Sequence, residues 1–280
     1  MSNDSPSPAN QPWFQFAAGD GAPELDLRDH LFFLDLTLDV ESQLIAIRSL
    51  LHRHRLADET LTTDIQNIEA HAKTVSGHLN DQAVDAWLER LHSSVYQDAA
   101  HSMAAVGMLA PLVESIFFQC FQGIGAKFFA PTPPVAPHNR WTSGQAVQWD
   151  CHLVISNGQT RPDLVKGIMQ LCEATGLVSR MPTDLRTTLS ALFAYRNKMF
   201  HLGFEWPMAE RHAFAARIQS EGWPADWFSC ATSGDEPWIF YMSDIFITHM
   251  LSTTEAVLDG FATCVKDDLL PHQTSEGLAG

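Results

Sequence analysis

Between Met103 and Ala126 the chain carries an almost unbroken apolar run. A run of that length is either buried inside a protein or faces lipid, because water does not tolerate so much contiguous apolar surface. Glu114, Gln119 and Gln122 lie within it, and Pro111 interrupts it. A carboxylate and two amides are costly at bilayer depth. The run therefore predicts a buried central helix rather than a membrane span, and the rest of the chain must cover it. Hydrophobic residues make up 45% of the 280 positions, ample for such a core. The length allows one large domain or two ordinary ones.

The second constraint follows at once. Pro131, Pro133, Pro134 and Pro137 crowd one short segment, which can form neither helix nor central strand. Residues 130–150 are thus a linker between domains or a long surface loop. Residues 1–25, rich in Ser, Pro, Asn, Gly and Ala, read as a disordered leader in which Trp13 and Phe14 could dock. Residues 26–129 read as N-terminal helices, 151–268 as a second helical region and 269–280 as a flexible tail.

Apolar spacing predicts helices over 27–56, 58–75 with Asp58 as N-cap, and 81–95. The last continues, with a bend near Gly107 and Pro111, to about Gly123. Further helices are predicted over 161–175, 183–202, 208–220 and 243–265. Aromatic and β-branched residues flanking Ser233-Gly234-Asp235 predict a β-hairpin over 227–241. The fold class is mainly α with one small hairpin and no internal repeat.

The formal net charge of −16 works against non-specific binding to nucleic acid or anionic membranes. The charge is uneven, however. Arg180, Arg186, Arg196, Lys198, Arg211 and Arg217 face only Asp184, Glu205 and Glu210 in the same stretch. Five cysteines without a C-x-x-C pair argue against a zinc site or disulfide framework and fit a reducing cytoplasm. The first residues lack the basic and apolar regions of a signal peptide. No phosphate-binding glycine loop or dinucleotide fingerprint occurs. His52-Arg53-His54-Arg55 reads as an exposed basic patch. Asp98 and His101 supply only two ligands for a metal. Cys151, between Asp150 and His152, needs a base from elsewhere in the fold to act as a nucleophile. No metal and no cofactor are expected.

The strongest chemistry lies in the helix over 183–202. Thr183 can cap it, and Gly203 can end it in a left-handed conformation, with Pro207 beyond. Arg196 falls inside the apolar stripe of Leu185, Leu189, Leu192, Met199 and Phe200. It is therefore expected to be mostly buried and paired with a carboxylate, Glu114 first. His201 sits in the last turn, where the helix dipole favours its protonated form and suits it to a general acid. Asn197 can orient either group. Arg196 and His201 stand about 140° apart around the helix. One helix does not aim both at a single phosphate, whereas two copies across a two-fold axis could.

The pattern Arg196-Asn197-x-x-x-His201, ending a helix in an all-helical chain, resembles the HEPN (higher eukaryotes and prokaryotes nucleotide-binding) superfamily. The resemblance spans about residues 100–265. It leaves the first hundred residues and the 227–241 hairpin without a counterpart. It implies a helical bundle acting as a homodimer, and a metal-independent endoribonuclease of toxin–antitoxin or defence type. Arg196 and His201 would then be catalytic, supported by Asn197 and by Glu114 from an earlier helix. The implied partners are a second copy, single-stranded RNA as substrate, and an antitoxin or regulatory protein. A reading from another class also stands: a non-catalytic HEPN-like module that binds a protein partner or a nucleotide. The overall negative charge favours the module, and the cationic stretch from Arg180 to Arg217 favours the nuclease.

Overall fold

The computed structural model describes residues 25–129, 138–142 and 144–271. The expected leader, proline-rich segment and tail lie outside the described residues except at their margins. The apolar run forms the middle of a 51-residue helix, α2 (His78–Phe128). Its buried side includes Val106, Leu109, Val113, Ile116, Phe117, Cys120, Phe121 and Ile124. Pro111 sits inside this helix. It has no N–H to offer its own turn, yet the helix continues past it because the surrounding residues are locked in the core. α2 is long and apolar enough to cross a membrane, and 56% of its apolar window is buried inside the fold.

The helix before it is α1 (Val40–Ala72). Asp39 caps it by accepting from the Ser42 N–H at 3.0 Å. A short turn joins it to α2, closed by Asn80 Nδ2 donating to the Ala72 carbonyl at 2.7 Å. Two expectations are corrected here. Residues Leu27–Leu34 form a separate 3-10 turn with an Asp26–Asp29 capping box. Asp58 starts no helix but lies exposed within α1. Most of the segment from His52 to Asp58 is exposed, His54 being half-buried, and exposure alone does not break a helix.

Beyond a short 3-10 turn (Asn139–Thr142) and α3 (Gln145–Gln148) comes a third correction. Strands β1 (Leu153–Ser156) and β2 (Gln159–Pro162) form an unexpected antiparallel hairpin. Asn157 and Gly158 turn it with φ of 52° and 73°, the pair of left-handed residues that a two-residue hairpin loop requires. The helix expected over 161–175 is consequently shorter. It is α4 (Leu164–Ala174), capped by Asp163. Then follow α5 (Leu185–Leu202), α6 (Met208–Ser220), the expected hairpin of β3 (Phe228–Ser233) and β4 (Glu236–Met242), and α7 (Asp244–Cys264) with a π-helical turn after it.

One hydrophobic cluster joins residues on both sides of the proline-rich segment. α5 and α7 lie against the central helix, with Leu185, Leu189, Met250 and Val257 meeting Val113, Ile116 and Phe117. Tyr195, Trp206, Phe214, Phe228 and Phe240 pack between α5, α6 and the β3–β4 hairpin, Trp206 stacked on Phe240 and the other pairs edge-to-face or tilted. The Tyr195 hydroxyl donates to the Phe240 carbonyl at 3.1 Å. This packing fixes the rotation of α5 about its axis. The chain is mainly helical, with two small antiparallel strand pairs.

Candidate functional site

α5 begins after Asp184 rather than Thr183, and no side chain caps it. Gly203 ends it as expected, but with φ 72° and ψ −146°. That is a positive-φ region open essentially to glycine alone, not the left-handed helical one. Tyr195 and Met199 are fully buried, which turns Arg196 toward the seam between α5 and α2 and leaves Asn197 on the surface.

The expectation of a mostly buried Arg196 is corrected. Its side chain is 39% exposed: it lies in the middle of the stripe on the wheel, but Phe200 one turn on is exposed too, so the stripe leaves the core toward the end of α5. The expected carboxylate is there, at the limit of ion pairing: Arg196 Nη2 lies 4.0 Å from Glu114 Oε2. Nη1 donates to Asn197 Oδ1 at 3.2 Å. Phe200, placed on the same stripe, is 54% exposed. Its ring covers Gly107, where an added methyl group would lie 3.2 Å away.

Glu114 has a second partner that periodicity could not disclose. His152 Nε2 lies 3.0 Å from Glu114 Oε1, and His152 Nδ1 lies 2.8 Å from Asp150 Oδ1. Carboxylates at both ring nitrogens call for a proton on each. Burial opposes the imidazolium, but the bonds to Asp150 and Glu114 outweigh it and raise the His152 pKa. Asp150, His152, Glu114, Arg196 and Asn197 thus form one row of alternating charge ending in an amide. Arg140 sets the loop that presents Asp150 and His152. It is fully buried, and its guanidinium donates to the carbonyls of Gln148, Asp150 and Leu153 and to Gln170.

The ligand atoms of Asp150, Cys151 and His152 lie within 4.8 Å of one another, as a metal site requires. Three features oppose a cation there. Asp150 and His152 already bond to each other, burial raises the Cys151 thiol pKa to about 12, and the Arg140 charge acts directly on that thiol. All five cysteines are unpaired.

A cleft of about 640 Å³ opens beside Arg196 and Asn197. The first turn of α4, one face of α5 and the end of α6 wall it, and Lys166, Arg186, Arg196 and Arg217 bring cations against Asp163 and Glu221. His201 does not line it. That imidazole is exposed on the last turn of α5. The structure therefore brings Glu114, Arg196 and Asn197 together and leaves His201 apart from them within one chain.

A second cluster lies across the molecule, in a cleft of about 480 Å³ between α1, α2 and the start of α7. His54 and His101 stack at 3.5 Å between ring centroids, with Asp58, Asp98 and Asp244 around them. Burial, then Asp58 and Asp244, raise the Asp98 pKa to about 6. Burial, then His54, lower that of His101 to about 4. These shifts have opposite consequences for stability. Between the unfolded carboxylate pKa and about 6, the native Asp98 holds a proton that the unfolded chain has released, so its contribution falls as pH rises. Between about 4 and 6.5 the unfolded His101 holds a proton that the native one lacks, so its contribution rises with pH. The two nearly cancel in the native protein. Asp98→Asn is expected to gain stability relative to the parent as pH rises from 4 to 6. His101→Asn is expected to gain as pH falls from 6.5 to 4. Each change amounts to roughly 1–1.5 kcal/mol, because both groups are partly solvated. Urea titrations at successive pH values read the slopes, and parallel pH profiles for variants and parent contradict the assignment.

Comparison of the chain with protein-family models, with curated proteins and with solved structures found no match.

Proposed function

We propose that this chain is a metal-independent endoribonuclease of HEPN type, working as a homodimer on single-stranded RNA in the cytoplasm. The observation that carries the reading is the half-exposed Arg196 guanidinium. It is only loosely tied to Glu114 and Asn197 and stands at a cationic cleft in a chain of net charge −16. A guanidinium held this way can exchange a weak ion pair for the two oxygens of a phosphodiester. In the reaction the ribose 2'-hydroxyl attacks the adjacent phosphorus and the 5'-oxygen leaves. Arg196 stabilises the charge that develops on the phosphoryl oxygens. His201 gives a proton to the leaving oxygen. The 2'-hydroxyl proton passes to a base, for which Glu114 is the nearest carboxylate. Asn197 holds Arg196 in register. Single strands are preferred because a rigid duplex resists aligning the 2'-hydroxyl with its own phosphate.

Purified protein is expected to cut single-stranded RNA in EDTA and leave 2',3'-cyclic phosphate ends. Arg196→Ala should lower the rate by at least about a hundredfold, the usual loss for one oxyanion-stabilising donor. The same oligonucleotide with a 2'-deoxy sugar at the cut site should resist. Equal cleavage by parent and variant would point to a contaminating nuclease. The strong negative charge and the exposed Phe118, Phe200 and Leu202 support the second reading, an interaction module. A stable protein complex formed by a chain that cuts no RNA would establish it.

A further inference from the structure

The 640 Å³ cleft contains more binding chemistry than cleavage at Arg196 requires. Two of its cations are already matched, Lys166 by Asp163 at 2.8 Å and Arg217 by Glu221 at 2.7 Å. Arg186 is not: among the described residues no carboxylate lies within ion-pairing distance of it. It projects from the first turn of α5, nearly three turns before Arg196 on the same helix. The back wall is formed by Trp223, which is only 4% exposed. Its ring packs against the Arg217 guanidinium at 5.2 Å, and its indole N–H is turned to Glu221, which Ser190 and Arg217 also hold. A guanidinium that reaches Asp163 only at longer range, in a cleft walled by three further cations, calls for a ligand that carries negative charge and acceptor oxygens. The volume suits a nucleotide rather than a bare anion.

We infer that this cleft is a subsite for the RNA strand, in which Arg186 holds a phosphodiester further along the strand from the one at Arg196. The identity of the ligand rests on the endoribonuclease reading above; the need for a phosphate-like oxyanion does not. Arg196 and Asn197 form one end of the cleft, so a strand with one phosphate at the Arg196–Glu114 seam continues naturally into it. The contacts are to backbone and not to bases, so the subsite adds affinity without sequence preference.

The test measures binding, not cleavage. A fluorescein-labelled 2'-O-methyl RNA of ten nucleotides, which cannot be cut by 2'-hydroxyl attack, is titrated by anisotropy at several salt concentrations. Arg186→Ala is expected to weaken binding about tenfold and to reduce the slope of log affinity against log salt by about one. Arg48→Ala, at a surface pair with Glu255 on the α1–α7 side, should change nothing. Inorganic phosphate and a nucleoside monophosphate serve as competitors, and both should compete weakly. A mononucleotide that binds more tightly than the oligonucleotide would overturn the strand assignment in favour of a free nucleotide. Unchanged affinity and salt slope in Arg186→Ala, or no binding of any of the three probes by the parent protein, would overturn the subsite itself. Binding as described by a protein that cleaves no RNA would uphold the subsite while removing the catalytic reading.

Discussion

Arg140→Met is expected to destabilise the fold by about 3–5 kcal/mol, because it leaves several buried carbonyl groups without donors at once. The side chain is completely enclosed. Its Nε donates to the Gln148 carbonyl at 2.6 Å, its Nη1 to Leu153 and to Gln170 Oε1, and its Nη2 to Asp150. No carboxylate pairs with it among the described residues, so three backbone carbonyls and the Gln170 amide oxygen hold the charge. Burial lowers its pKa to about 10, which still leaves it charged at neutral pH. Methionine fills similar space and supplies no donor. Arg140→Lys keeps the charge but concentrates it on one nitrogen, which cannot reach three carbonyls spread over six residues of loop. It should recover less than half of the loss. Equilibrium unfolding in urea measures both variants. A loss under about 1 kcal/mol for Arg140→Met would mean that water reaches those carbonyls. The consequence reaches the candidate site, because the same loop carries Asp150 and His152. α4 braces it from the other side: a methyl group on Gly167 would lie 2.1 Å from the Cys151 carbonyl oxygen.

The readable parts of this protein are those in which a side chain's fate depends on its own helix. The burial of α2 follows from the apolar run, and the end of α5 from Gly203. Apolar spacing divides α1 at Asp58 because a helix that leaves the core loses its apolar stripe, and a polar stretch followed by Asp imitates a new N-terminus. Asn157-Gly158 is a turn signal for the β1–β2 hairpin, although apolar spacing predicts no strand there. Its outer strand is exposed at every position, however, so it lacks the alternation that identifies a strand. Within the candidate site the wheel paired Arg196 with Glu114 but misjudged its depth. A wheel gives an angle around one helix and not the place where two helices separate. His152 was out of reach for a stronger reason. Its bond to Glu114 spans 38 residues and depends on a loop held by Arg140, a residue whose importance appears only when its carbonyl partners are known. The grouping of His54, Asp58, Asp98, His101 and Asp244 depends in the same way on three separate elements.

Mixing two inactive variants is expected to restore activity. Arg196→Ala and His201→Ala should each abolish cleavage as homodimers, while a co-purified mixture should recover roughly a quarter of the parental rate, because half the dimers are mixed and each carries one intact composite centre. The geometry motivates this. Arg196 lines the cleft, whereas His201 is exposed outside it, about 140° around the same helix. A cis arrangement would need α5 to bend, yet buried Tyr195 and Met199 hold its rotation on either side of Arg196. A two-fold axis near the end of α5 would bring the His201 of one protomer to the Arg196 of its partner. It would also cover Phe200, 54% exposed, and Leu202, 37% exposed, whose apolar surface beside the motif is otherwise left in water. Phe200→Asp should then separate the dimer in sedimentation and abolish cleavage, although the mutated residue touches neither RNA nor a proton in flight. Subunits carrying different affinity tags allow the mixed dimer to be isolated before assay. An isolated mixed dimer that remains inactive would place each centre within a single chain, and a parent protein that sediments as an active monomer would remove the composite centre altogether.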